Sequence, residues 1–298
     1  MNLSNRTKGA LCIIGSALCF AGMSVFVRLA GDLPTFEKAF FRNFVAAILV
    51  FIILRRERIP LRIEKEARLM VLLRCVFGTA GLLLNFYAID RLNLSDANML
   101  NKLSPFFAIL FSRFLLQEKV RPVQALAVAG AFLGALLIIK PTGANMSPVP
   151  AVGGFFGGMG AGAAYTCLRK AAGQGVRSPL IVLCFSCFSC LVTIPFILAD
   201  FVMPTGKQLL LLLLCGVCGA GGQFSITAAY TFAPAREISV YDYTQVIFSA
   251  VLGFLLFDQL PDAWSFAGYA LIILMAVVNF VYNNRRNAQE TTVKGDIS

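Results

Sequence analysis

Four polar residues interrupt one of the most apolar stretches of the chain. Asn98, Asn101, Lys102 and Pro105 lie within LSDANMLNKLSPFFAILFSRFLL at i, i+3, i+4 and i+7, a spacing that puts them on one face of a helix. Amides and an ammonium group sharing a face supply donors and acceptors for a dissolved molecule. Pro105 has no N–H, so the carbonyl of Asn101 loses its helical partner and becomes a further acceptor. A second stretch, EISVYDYTQVIFSA, sets Tyr241, Gln245 and Ser249 at i, i+4 and i+8 with Asp242 beside them. Asp96, Glu118 and Asp258 fall near the ends of apolar runs, which leaves Asp242 as the deepest acid and the one a proton-coupled step could use. Asn85, Tyr87, Tyr165, Gln223 and Ser225 are weaker candidates for the same polar surface, since hydrogen bonding between helices would also explain them.

Other chemistries find little support. The chain has no histidine, which removes the commonest general base and a common zinc ligand. Cys184, Cys187 and Cys190, and Cys215 and Cys218, have spacings found in metal and redox motifs. They sit inside continuous apolar runs, where cysteine serves as a small hydrophobe and no loop wraps a cluster. Gly154, Gly158 and Gly162 in GGFFGGMGAGAAY recur every fourth residue, the small-residue pattern of close helix contact. No strand precedes them, so a dinucleotide loop fails its context test. No cofactor or metal is expected. The net charge of +11 is spread between apolar runs rather than gathered on one patch, which argues against nucleic acid as a partner.

The elements that must position these residues follow from composition. Of 298 residues, 58% are hydrophobic and 14% charged, with mean hydropathy +0.77. A soluble domain carries about 25% charged residues and cannot hide this much apolar surface. The reading is an all-α polytopic membrane protein. Runs of about 20 apolar residues can cross a bilayer as helix, and ten are present, at 9–30, 35–54, 69–90, 95–116, 122–140, 152–171, 179–200, 208–230, 237–257 and 263–283. The first is too long for the core of a cleaved signal peptide. Residues 141–150, PTGANMSPVP, form the one clear linker, so the expected units are 1–140, 151–283 and a tail at 284–298.

With the N-terminus inside, seventeen Lys and Arg fall in cytoplasmic segments, and only Arg91, Lys140 and Lys207 fall in outer loops. That bias assigns both termini to the cytoplasm. Five spans per half is an odd number, so homologous halves must form an inverted repeat. A shift of 140 lays Gly81 on Gly221, Asn85 on Ser225, FLLQEKV on FLLFDQL and Lys102 on Asp242; a shift of 142 lays Ser24, Arg28 and Gly31 on Thr166, Lys170 and Gly173. Straight spans would leave the backbones of Lys102 and Asp242 about 10 Å apart along the membrane normal. Two readings of that pair compete: opposite charges at two ends of a cavity that orient a dipolar solute, or a salt pair that ties spans four and nine. The lysine alone could also snorkel to the headgroups, being about 10 Å deep at 1.5 Å per residue.

FFRNFVAAILVFIILRRER, FYAIDRLNLSDANMLNKLSPFFAILFSRFLLQEKV and AYTFAPAREISVYDYTQVIFSAVLGFLLFDQLPD together resemble the drug/metabolite transporter superfamily, in its EamA-type branch of ten helices and two repeats. The resemblance covers about residues 8 to 283. It departs at Asp258, where many members carry Glu, and at Gln245, which replaces the first-half Pro105. It implies a transporter of a small metabolite of the amino acid, S-adenosylmethionine or riboflavin class, in the inner membrane of a bacterium. It puts Arg42 at the family's arginine of span two, where the expected partner is an acid or carbonyl at the outer end. Arg28, Arg74 and Arg113 lie close enough to span ends to snorkel.

The expectation is therefore a secondary transporter working by alternating access, proton-coupled or by exchange, as a monomer or homodimer in contact with lipid. Two other readings stand beside it. A non-transporting scaffold would have polar stripes that satisfy each other around a cavity too small for solute. An intramembrane enzyme would need a paired-carboxylate or metal-ligand motif, which the chain lacks.

Overall fold

The computed structural model describes residues 4–58, 60–115, 117, 121–139, 148–232 and 239–295. Glu118 and most of the expected linker lie outside these residues. The described chain is helical: α1 (Asn5–Leu29), α2 (Thr35–Arg56), α3 (Lys65–Arg91), α4 (Leu94–Asn101), α5 (Ser104–Leu115), α6 (Pro122–Ile139), α7 (Pro148–Gly173), α8 (Ser178–Ala199), α9 (Gly206–Phe232), a 3-10 turn (Ser239–Tyr243), α10 (Thr244–Phe257) and α11 (Ala263–Gly295). Local chemistry sets several boundaries. Ser4 Oγ accepts the Thr7 N–H at 3.2 Å and starts α1. Gly31, at φ +67°, makes the turn into α2 that a side chain would strain. Asp258 ends α10 in the left-handed region at φ 52°.

Among the described residues, six helices are long and apolar enough to cross a membrane: α1, α3, α8, α9, the turn with α10, and α11. The other four crossings carry interruptions. Glu37, Lys38 and Arg42 lie in α2, and span four is broken into α4 and α5. α6 is short and α7 is rich in glycine. Large apolar side chains such as Leu18, Ile52, Leu72 and Leu133 are exposed on the outside of the bundle, where lipid takes the place of water.

The halves pack by matching contacts. α1 lies on α9 as α7 lies on α3, while α2 packs on α8, α4 on α10, and α6 on α11. Each pair joins helices that a two-fold axis would exchange or hold equivalent. With five crossings per half, that axis lies in the membrane plane, the two-repeat transporter architecture. Small residues allow the closest approaches. A Cβ on Gly81 would stand 2.9 Å from the backbone nitrogen of Ala161, and one on Gly160 would stand 3.0 Å from Gly81 Cα. The Gly158 and Gly162 face of α7 instead meets the broken span. A Cβ at those positions would come 2.5 Å from the Leu100 carbonyl oxygen and 2.7 Å from that of Ser104.

Candidate functional site

Span four breaks at Lys102 and Leu103, and the break faces the 3-10 turn that leads into α10. α4 ends at Asn101, Lys102 and Leu103 form a turn, and α5 restarts at Ser104 with Pro105 in its first turn. Lys102 N–H still donates to Asn98 O at 3.0 Å, but Pro105 offers no N–H to the Asn101 carbonyl. Opposite it, the 3-10 turn precedes α10, and Tyr243 Oη donates to the Lys102 carbonyl at 3.3 Å. Lys102 Nζ and Asp242 Oδ2 are 2.5 Å apart. The side chains therefore meet as the salt pair that was one of the two readings of these residues. Residues exchanged by a two-fold axis can touch only near it, so a contact between positions related by the shift of 140 lies close to the axis that relates the repeats.

Asn98 joins three helices. Its Oδ1 accepts from Gln245 Nε2 at 2.7 Å, its Nδ2 donates to Ser249 Oγ at 3.0 Å and Leu94 O at 2.8 Å, and Ser24 Oγ lies 3.2 Å away. Asn98, Gln245 and Ser249 are buried and bonded to one another. Part of the polar stripe is therefore a cross-brace.

Beside this brace is a cavity of about 130 Å³. Of the expected site residues, Asn85, Asn98, Asn101, Lys102, Tyr165, Gln223, Asp242, Gln245 and Arg42 line it. Tyr165 keeps 48% of its surface accessible, although it sits deep in the bundle, because it opens onto this space. Tyr241 is the exception: it is 39% exposed and is not part of the cavity wall. The i, i+4 stripe assumed 3.6 residues per turn, whereas the 3-10 turn winds at three and rotates Tyr241 away. Tyr87 lies under the Arg91 guanidinium, 4.0 Å from carbon to ring centre, and against α7.

Two arginines differ from the outer-end pairing expected of Arg42 and the snorkelling expected of Arg74, and both line the cavity. Arg42, 8% exposed, donates from Nη1 to Asn43 Oδ1 at 2.6 Å and pairs with no carboxylate among the described residues. Asn43 is anchored in turn by Ser189 Oγ at 2.8 Å. Arg74 does not snorkel. It is 7% exposed, lines the same cavity, and lies 4.4 Å over the ring of Phe185, with Arg42 at 5.8 Å from that ring. Arg74 Nε and Nη1, Arg42 Nε, Asn85 Oδ1 and Asp242 Oδ1 are buried without a hydrogen-bond partner. The missed signal was the helix start. α3 begins at Lys65 rather than 69, which carries Arg74 about 13 Å along the axis at 1.5 Å per residue.

The end of the bundle away from the termini is closed by polar contacts. Lys38, 1% exposed, pairs with Asp90 at 2.7 Å and donates to Gly31 O at 2.8 Å. Arg28 donates to the carbonyls of Ile89 and Leu92. Glu37 Oε1 accepts from Val202 N–H at 2.8 Å, Gln208 Nε2 donates to Ala30 O at 3.1 Å, and Tyr269 Oη donates to Asp96 Oδ1 at 2.6 Å. At the other end, Lys170 Nζ donates to Leu115 O at 2.8 Å. Val50, Val182 and Ile226 extend the cavity wall towards the termini. The cavity is therefore off-centre, displaced away from the closed end. Among the described residues, no cluster of three metal-ligating side chains exists. The paired cysteines are packed along α8 and α9.

Comparison with known proteins matches this architecture to one family. The model for the EamA-like transporter family matches residues 7–140 and again 150–281. The pseudopaline exporter CntI of Pseudomonas aeruginosa is 32% identical over 279 residues, covering 93% of this chain and 97% of the exporter. The riboflavin transporter of Vibrio cholerae is 25% identical over 300 residues, covering 96% and 97%. One crystal structure superposes with a TM-score of 0.63 at 16% identity, over 92% of this chain and 97% of that one, and shares the fold.

Proposed function

Because the chain belongs to the EamA-like transporter family, we propose that it is a secondary transporter that moves a small organic metabolite by alternating access through the cavity between its repeats. Membrane transport of a small metabolite agrees with the relatives' names, an exporter and riboflavin transporters among them. The bilayer is the bacterial inner membrane, crossed many times. The distribution of Lys and Arg supports both termini in the cytoplasm. The cavity is then open towards the cytoplasm and sealed outside by the Lys38–Asp90 end.

One observation carries this reading: a cavity between the repeats is lined by Arg42, Arg74, Asn85 and Asp242, each of which keeps a buried polar atom without a hydrogen-bond partner in the protein. A water needs about 10–15 Å³ on this measure, so 130 Å³ holds roughly ten. A scaffold would have no use for that space. We assign solute contact to Asn85, Asn101, Tyr165, Gln223, Arg42 and Arg74, and a bracing role to Asn98 and Gln245. The Lys102–Asp242 pair, lying where the break in span four meets the 3-10 turn, serves as the contact about which the repeats rock. One chain encloses the cavity, so a monomer suffices. We read the activity as translocation without bond chemistry.

The test is counterflow in proteoliposomes holding the full chain, with labelled amino acids, riboflavin and S-adenosylmethionine loaded on either side. Saturable exchange above protein-free vesicles is expected for at least one class. Folded protein that exchanges none of a broad metabolite panel would favour the scaffold.

A further inference from the structure

Lys102 and Asp242 offset each other on the cavity wall, which leaves Arg42 and Arg74 as its uncompensated charges. Guanidinium groups stay protonated in proteins, and buried charge is tolerated when it is paired and hydrogen-bonded. Here both guanidinium groups flank one ring, Phe185, so their central carbons stand no farther apart than the sum of 4.4 and 5.8 Å. The ring face offsets part of the charge, but no carboxylate among the described residues reaches either group. Nε and Nη1 of Arg74 and Nε of Arg42 have no acceptor. Gly78 leaves the room that the Arg74 guanidinium fills, since a Cβ there would overlap Nη1.

Resting on the transport reading above, we propose that Arg42 and Arg74 form the seat of an oxyanion, a carboxylate or phosphate carried by the transported solute. Two guanidinium groups beside one cavity offer charged N–H donors to the oxygens of such a group. The nearby Asn85 Oδ1, buried and without a donor, calls for a hydroxyl or amine on the same solute. The ligand class is a small acid that also bears a hydrogen-bond donor. The dipolar orientation expected of Lys102 and Asp242 thus passes to a different pair of residues.

The experiment measures thermal stabilisation of the purified full chain by matched probes: hydroxy acids and amino acids, the neutral amide of each, and phosphate monoesters of similar size. Stabilisation by one oxyanion class but not by the amides is expected, and the class that responds tells carboxylate from phosphate. Arg74→Gln and Arg42→Gln should each weaken the apparent affinity at least tenfold. Gly78→Ala, which displaces the guanidinium and keeps the charge, should weaken it as well. If a glutamine variant fails to fold, Arg74→Lys decides, because it keeps the charge and loses the fork. Unchanged oxyanion affinity in the folded Arg74 variants would overturn the proposal. So would equal stabilisation by the amides, or no response of the wild-type chain to any oxyanion. Oxyanion binding without flux in proteoliposomes would instead sink the transport reading and leave the seat standing. Flux of neutral solutes that Arg74→Gln does not alter would sink the seat alone.

Discussion

At the residue scale, Lys102 and Asp242 carry the sharpest expectation. They touch at 2.5 Å with side chains 9% and 20% exposed, so removing one partner leaves a largely buried charge unpaired. Lys102→Gln and Asp242→Asn should each lower the melting temperature, while the double substitution should recover part of the loss. A coupling of about 1–3 kcal/mol is expected from contacting charged residues. Additive losses in thermal unfolding would show that the pair does not hold the break in span four to the 3-10 turn. Asn98→Ala removes the acceptor of Gln245 and the donor to Ser249. Hydrogen bonds between membrane helices average about 0.6 kcal/mol each, so a loss of about 1–2 kcal/mol is expected in the same assay. The sequence made both positions visible, because amides and charges stand out against leucine. It hid Arg74, since an arginine's depth depends on where its helix starts, and charged Lys65, Glu66 and Arg68 disguised four residues of α3 as a loop.

At the element scale, the period of the apolar runs located the crossings, and an even phase of short acidic turns suggested the repeat. Backbone breaks were harder to read. Pro105 announced one in span four, but nothing in SVYDY separates a 3-10 turn from an α-helix, and Tyr241 was misplaced for that reason. Glycine spacing in α7 was legible as packing, though not which helix each face would meet. Gly158→Ala and Gly162→Ala bring a methyl against backbone carbonyls of the broken span. Overpacking of that kind costs about 1–3 kcal/mol, so both should lower the melting temperature. Gly15→Ala has nothing within 4 Å and should leave it unchanged or raise it. Equal losses at all three positions would mean that the close approach is not what requires the glycines.

At the scale of the whole molecule, the closed end makes an accessibility prediction. Lys38→Gln removes the ion pair with Asp90 and the bond to Gly31 O. Cys215, fully buried in α9, should then react faster with an impermeant maleimide added outside, in a chain whose other cysteines are replaced. An unchanged rate would show that the pair does not seal that end. The two repeats share a scaffold but not this latch. Under the repeat shifts, Asp90 corresponds to Tyr230 and Lys38 to Leu180, so this ion pair has no charged counterpart in the other repeat. A machine with symmetric bones and a lock on one door idles with that door shut, and its working stroke begins each time by drawing the bolt.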